Sequence, residues 1–105
     1  MAGTKTEISE QFAQLRKFGF KVWNGNTPRP KYKGEKGLVD HIIFSEDYII
    51  IIEVKLPGDT WSDDQEDLAK LLKMFMIFNP GVKYKVIENL QEAINLKVLI
   101  IEHRL

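Results

Sequence analysis

There is no cysteine in this chain of 105 residues. Disulfides, thiolate metal sites and cysteine nucleophiles are excluded, and a cytoplasmic setting is the expectation. Histidine is nearly as scarce, with His41 and His103 alone, so no His-rich zinc pattern exists. No Gly-rich phosphate loop is present, and no serine sits in a convincing nucleophile motif. The longest apolar run falls far short of a membrane span, and no signal-peptide pattern opens the chain. A soluble protein with no membrane partner is therefore expected. Net charge is zero, which removes the global basic signature of many nucleic-acid binders. What remains is 44% apolar and 29% charged. That is ordinary for one globular domain, and residues 1–105 read as a single unit able to bury one core.

The charge is unevenly placed. Residues 14–36 hold Arg16, Lys17, Lys21, Arg29, Lys31, Lys33 and Lys36 against Glu35. Seven bases against one acid leave a balance of +6 there. Residues 37–70 hold nine acids against Lys55 and Lys70, a balance of −7. A basic arm beside an acidic pocket suits a protein that holds a polyanion at metal ions; solvated surface of both signs is the plainer reading.

The periodicities predict the elements. Residues 6–18 read as an amphipathic helix, with Ile8, Phe12 and Leu15 at helical spacing, Thr4 or Thr6 as cap and Gly19 as stop. Residues 20–23 suggest a short strand. Residues 24–37 form a long loop rich in proline, glycine and lysine, which in so small a domain is functional or mobile. Two strands follow at 38–44 and 48–55, joined by Ser45-Glu46-Asp47 as an antiparallel hairpin. The unbroken run Ile49 to Ile52 argues for a central strand covered on both faces. Ser62 or Thr60 caps a helix to Phe78, with Leu68, Leu71, Leu72, Phe75 and Phe78 as its core stripe. A strand at 84–87, a short helix at 90–94 and a last strand at 98–101 complete the chain. The order predicts an α/β fold, a mixed β-sheet flanked by helices, with a crossover from the second hairpin strand through the helix to the next strand.

The chemistry concentrates where the most apolar strand ends. Tyr48-Ile49-Ile50-Ile51-Ile52-Glu53-Val54-Lys55 closes on a carboxylate and an ammonium two residues apart, hence on one face. Charges at such a place need partners. The preceding strand carries Asp40. Asp40 and Glu53 are hard oxygen ligands suited to Mg²⁺ or Mn²⁺, and the carbonyl of Val54 can complete the set. Lys55 would then orient or acidify an attacking water, or neutralise charge on a phosphate. A surface ion pair with a turn-capping aspartate is the bland alternative. His41 points away from Asp40 and reads as a packed histidine. Arg29, Lys31, Lys33 and Lys36, with Trp23 and Tyr32 among them, read as a DNA-contacting arm or else as a solvated loop.

An aspartate strand followed by Glu-x-Lys resembles the PD-(D/E)xK nuclease superfamily, and within it the small VRR-NUC domains. The resemblance spans nearly the whole chain. It rests on Gly37-Leu38-Val39-Asp40, Glu53-Val54-Lys55, the Pro57-Gly58 turn, Gln65 on the next helix and an acid in the first helix. Val39 stands where that family has proline, a residue that shapes backbone and ligates nothing. The resemblance implies a restriction-endonuclease-like αβββαβ core. It implies catalytic roles for Asp40, Glu53, Lys55, Gln65 and the helix acid, Glu7 in preference to Glu10, with Glu7 reaching a metal. It further implies a stand-alone, Mg²⁺-dependent endonuclease that leaves a 5′-phosphate and a 3′-hydroxyl. Such an enzyme would act as a homodimer on branched DNA such as four-way junctions, in a bacterial or phage-infected cell. A catalytically silent nucleic-acid-binding module and an interaction subunit docking through residues 62–78 stand as alternatives.

Overall fold

The computed structural model describes residues 3–25 and 39–105. The elements are α1 (Lys5–Ala13) with a 3₁₀ extension (Gln14–Phe18), β1 (Lys21–Asn24), β2 (His41–Phe44), β3 (Ile49–Val54), α2 (Asp63–Phe78), β4 (Val82–Ile87) and α3 (Leu90–Ile101). The four strands lie side by side in chain order. β1 and β3 each pair antiparallel with β2, and β4 runs parallel to β3. The result is the expected α/β fold: a mixed sheet flanked by helices, with an αβββαβ order and one further helix. Arg29, Lys31, Lys33 and Lys36, the basic arm of the sequence reading, lie outside the described residues.

Local chemistry sets the ends of each element. Thr4 caps α1 by accepting from the Glu7 N–H, and the Glu7 carboxylate accepts in return from the Thr4 N–H. Gly19, at φ 90°, ends the extension in the left-handed region. The β2–β3 hairpin closes on Ser45, whose N–H and hydroxyl both donate to the Tyr48 carbonyl. Alternation then splits the sheet into two faces. Ile43, Ile50, Ile52 and Val54 face a core built with Ile8, Phe12 and Leu15 from α1 and its extension, and with Leu90, Ala93, Leu96 and Ile100 from α3. Each of these side chains other than Ala93, taken fully out of water, contributes about 1.5–3 kcal/mol.

Three expectations change. The short helix at 90–94 and the strand at 98–101 are one helix, α3. Asn89 caps it through the Glu92 N–H, and Leu90, Ala93, Leu96 and Ile100 recur at helical spacing into the core. Burial on that stripe outweighs the strand preference of Val98-Leu99-Ile100-Ile101. The stripe of α2 is also rotated. Ala69 is buried and Leu68, Leu72 and Met76 are half-buried, whereas Leu71, Phe75 (53% exposed) and Phe78 (80% exposed) face outward. This helix is apolar around most of its girth, so periodicity alone does not select the docked side. The small Ala69 sits at the contact, where α2 packs against β4. Because α2 lies over that edge, β3 is not sealed on both faces: Ile49 is exposed and Ile51 half-buried.

Candidate active site

β3 delivers its last side chains by strict alternation. Ile52 and Val54 enter the core, so Glu53 and Lys55 emerge on the opposite face. Asp40 is brought beside them by the hairpin. Its N–H donates to the Ile52 carbonyl (3.1 Å), its carbonyl accepts from the Gly25 N–H (2.8 Å), and its Oδ2 accepts from the Val54 N–H at 2.8 Å. Asp40 and Glu53 are both buried, Glu53 to 3% exposure. Two carboxyls are thus taken out of water and placed together. Burial pushes the Glu53 pKa up to about 8, helped by a hydrogen bond and like charge from Asp40 and opposed by Lys55 and Lys5. Burial and the neighbouring carboxyl thus favour the protonated form of Glu53.

Gln65 ties the acid to the base. Its Oε1 accepts from Lys55 Nζ at 2.6 Å and from the Ser62 N–H at 3.1 Å, while its Nε2 donates to Glu53 Oε1 at 3.2 Å. These partners fix the amide orientation, since two donors face the oxygen and a carboxylate faces the nitrogen. Lys55 Nζ also donates to the Thr60 carbonyl (2.9 Å), lies 4.0 Å from Glu53 Oε1 and sits 4.9 Å from the centre of a Trp61 ring. Two hydrogen bonds within the protein thus aim this ammonium.

Asp40, Glu53, the Val54 backbone, Lys55 and Gln65 therefore come together as the sequence places them. Glu7 does not join them as a third acid: it is exposed and its carboxylate closes its own helix cap. Among the described residues, no three Asp, Glu, His or Cys side chains form a group that could hold a metal. His41 is packed, 1% exposed against the Phe12 ring, with Nε2 3.3 Å from Ser9 Oγ. Burial lowers its pKa, so the ring is neutral.

Three further neighbours complete the surroundings: Lys5 and Tyr84, which the sequence does not single out, and Trp61, which the sequence leaves open between core, DNA contact and dimer surface. Lys5 pairs with Asp59 at 3.4 Å and bears electrostatically on Glu53. Trp61 flanks Lys55. Tyr84, opposite Ile51 in the parallel register, is buried beside the carboxyls, and burial followed by Glu53 and Asp40 raises its pKa to about 12. It is a neutral phenol close enough to feel both carboxyls. Only the strand register reveals it, because Tyr84 lies 31 positions from Glu53 in the chain.

The donor set suits a hard divalent cation. Mg²⁺ asks for one or two carboxylates and completes its octahedron with water and substrate phosphate. Asp40 and Glu53 supply that number, and a cation there would relieve the like-charge contact that keeps a proton on the pair. No family model, curated protein or solved structure matches this chain.

Proposed function

We propose that this protein is a metal-dependent endonuclease that hydrolyses DNA phosphodiester bonds in the manner of the VRR-NUC and wider PD-(D/E)xK enzymes it resembles. One observation carries the reading. Two buried carboxyls, a lysine and a glutamine converge at the ends of β2, β3 and α2 through direct hydrogen bonds. Burying two acids at one point is costly, and a binding site for a cation gives that cost a function.

In this reading Asp40 and Glu53 hold Mg²⁺ or Mn²⁺, with the Val54 carbonyl as a further oxygen. The ion supplies Lewis-acid activation of water and charge stabilisation at the phosphate. Lys55 hydrogen-bonds the attacking water and neutralises charge on the phosphoryl oxygens. Gln65 holds Lys55 and Glu53 in mutual register, so it positions the two groups. Water attacks phosphorus, the bond to the 3′ oxygen breaks, and that oxygen takes up a proton as the water loses one. The products are a 5′-phosphate and a 3′-hydroxyl.

A homodimer acting on branched DNA is the finer form of the proposal. The outward side chains of α2, including Leu71, Met74, Phe75, Ile77 and Phe78, support a protein contact, since exposed apolar patches of this kind mark interfaces. They equally favour the second reading, an interaction subunit. The test is cleavage of a labelled four-way junction and a matched duplex with Mg²⁺, Mn²⁺ or EDTA, alongside Glu53→Ala and Lys55→Ala. Metal-dependent cutting lost in both variants is the expected result. Binding without cutting in any metal would overturn the enzyme reading in favour of the silent module.

A further inference from the structure

Next to Lys55 the surface opens into a cleft of about 610 Å³. Its apolar walls are Leu56, Trp61 and Val86, and its polar rim is Asp59, Glu88 and Asn89. Pro57 and Gly58 form the turn above it. Lys55 belongs to both places, lining the cleft while its ammonium bonds to Gln65 beside Glu53. A chain with its phosphate at Glu53 and Lys55 would therefore have a neighbouring nucleotide at the cleft mouth.

We propose that this cleft is a nucleobase subsite, in which one unstacked base adjoining the scissile phosphate lies against the Trp61 indole. This deepens the nuclease reading and rests on it for the identity of the polymer. Three features select a base rather than a phosphate. Glu88 puts a carboxylate on the rim, which repels an anion and accepts from the amino and imino groups of base edges. The lining also includes Leu56, Val86 and the indole of Trp61, a ring of the kind on which bases stack regardless of sequence. The volume holds one nucleoside with room for water. Trp61 is also held in place: Lys55 Nζ is 4.9 Å from its ring, an attraction that orients the indole before any ligand arrives. A base reaches such a cleft only by leaving its stack, which is easiest in single strands and at unpaired branch points. The subsite thus ties the preferred substrate to unpaired DNA without sequence readout.

The chain has two tryptophans, so Trp23→Phe leaves Trp61 as the single indole reporter. Trp23 is partly exposed on an outer strand, and a circular-dichroism melt checks that the variant folds. The experiment titrates this protein, in EDTA, with a short single-stranded oligodeoxynucleotide and with versions carrying one abasic position each. Stacking predicts quenching of Trp61 fluorescence that one particular abasic position abolishes. With Trp23 retained, Trp61→Ala weakens binding roughly ten- to hundredfold while Trp61→Phe preserves it. Quenching that no abasic position affects, or affinity unchanged in Trp61→Ala, would overturn the proposal. Cleavage without position-specific quenching would overturn the subsite and leave the nuclease standing. Quenching with that signature but no cleavage would support the subsite on a silent binding module.

Discussion

Replacing Glu53 by glutamine should make the protein more stable at alkaline pH. The unperturbed carboxyl titrates at 4.5, and burial beside Asp40 raises it to about 8 in the folded state. Between those values the folded chain keeps a proton that the unfolded chain has lost. Stability is therefore highest below the unfolded value and declines as pH rises through the window up to about 8. Each pH unit of separation corresponds to about 1.4 kcal/mol, which sets a ceiling near 5 kcal/mol. Lys55 and Lys5 oppose the shift by stabilising the Glu53 anion, so about 2–3 kcal/mol is the reasonable figure. In a domain whose whole stability is about 5–15 kcal/mol that is a large share. It corresponds to a fall in Tm of about 10 °C. The assay is thermal unfolding by circular dichroism in EDTA, across that pH range, for wild type and Glu53→Gln. The wild-type curve should fall with pH relative to the variant, and the two should cross. Saturating Mn²⁺ should then restore the wild type at high pH, by about 2.7 kcal/mol at a hundredfold excess over Kd, and leave the variant unmoved. Parallel pH curves would refute the claim that Glu53 is held protonated by its surroundings. An identical Mn²⁺ response in both proteins would refute its role as a ligand.

Gln65→Ala removes a helix-cap partner together with the bridge from Lys55 to Glu53. It should cost about 1 kcal/mol, speed hydrogen exchange in the first turn of α2 and depress turnover more than substrate binding. Phe12→Ala should cost about 3–5 kcal/mol in denaturant unfolding, because that ring is fully buried between α1 and the sheet. Phe75→Lys with Phe78→Lys should leave stability nearly unchanged, since both rings are exposed. Sedimentation should show a smaller particle if that face joins two copies, and an unchanged one would remove α2 from the interface. Asn89→Ala, which deletes the side chain capping α3, should lower stability by about 1 kcal/mol in the same unfolding assay.

Local signals carried most of the fold. The capping residues, the Ser45–Asp47 connection and the Ile49–Ile52 run each act over a few residues, and their elements lie where the pattern puts them. The errors share one cause. Whether residues 98–101 continue a helix, and which side of α2 meets the sheet, are decided by what packs opposite, and no local pattern encodes that. The candidate site divides the same way. Glu53, Lys55 and Gln65 are recognisable because strand alternation and a helix start fix their directions. Asp40 follows from the hairpin. Tyr84 and Lys5 reach the same place through a parallel pairing and a helix packed across the sheet, and residue types alone do not announce them; Trp61, beyond the Pro57-Gly58 turn, is left open between core, DNA contact and dimer surface until its place beside Lys55 is known. Glu7 illustrates the converse: a carboxylate at the right position in the chain is already committed to its own cap.

Both capped helices near the site use the same reciprocal motif, yet with different third residues: Glu7 in α1, Gln65 in α2. As a cap alone, either residue would serve at either position. At position 65 the choice is not free. A glutamate there would set a third carboxylate within about 3.2 Å of Glu53, adding to the like-charge effect of Asp40. Glutamine keeps the acceptor that the helix and Lys55 require and presents an N–H to the acid. Exchange of one for the other, an ordinary surface substitution in most helices, is here a change of protonation state for the whole cluster.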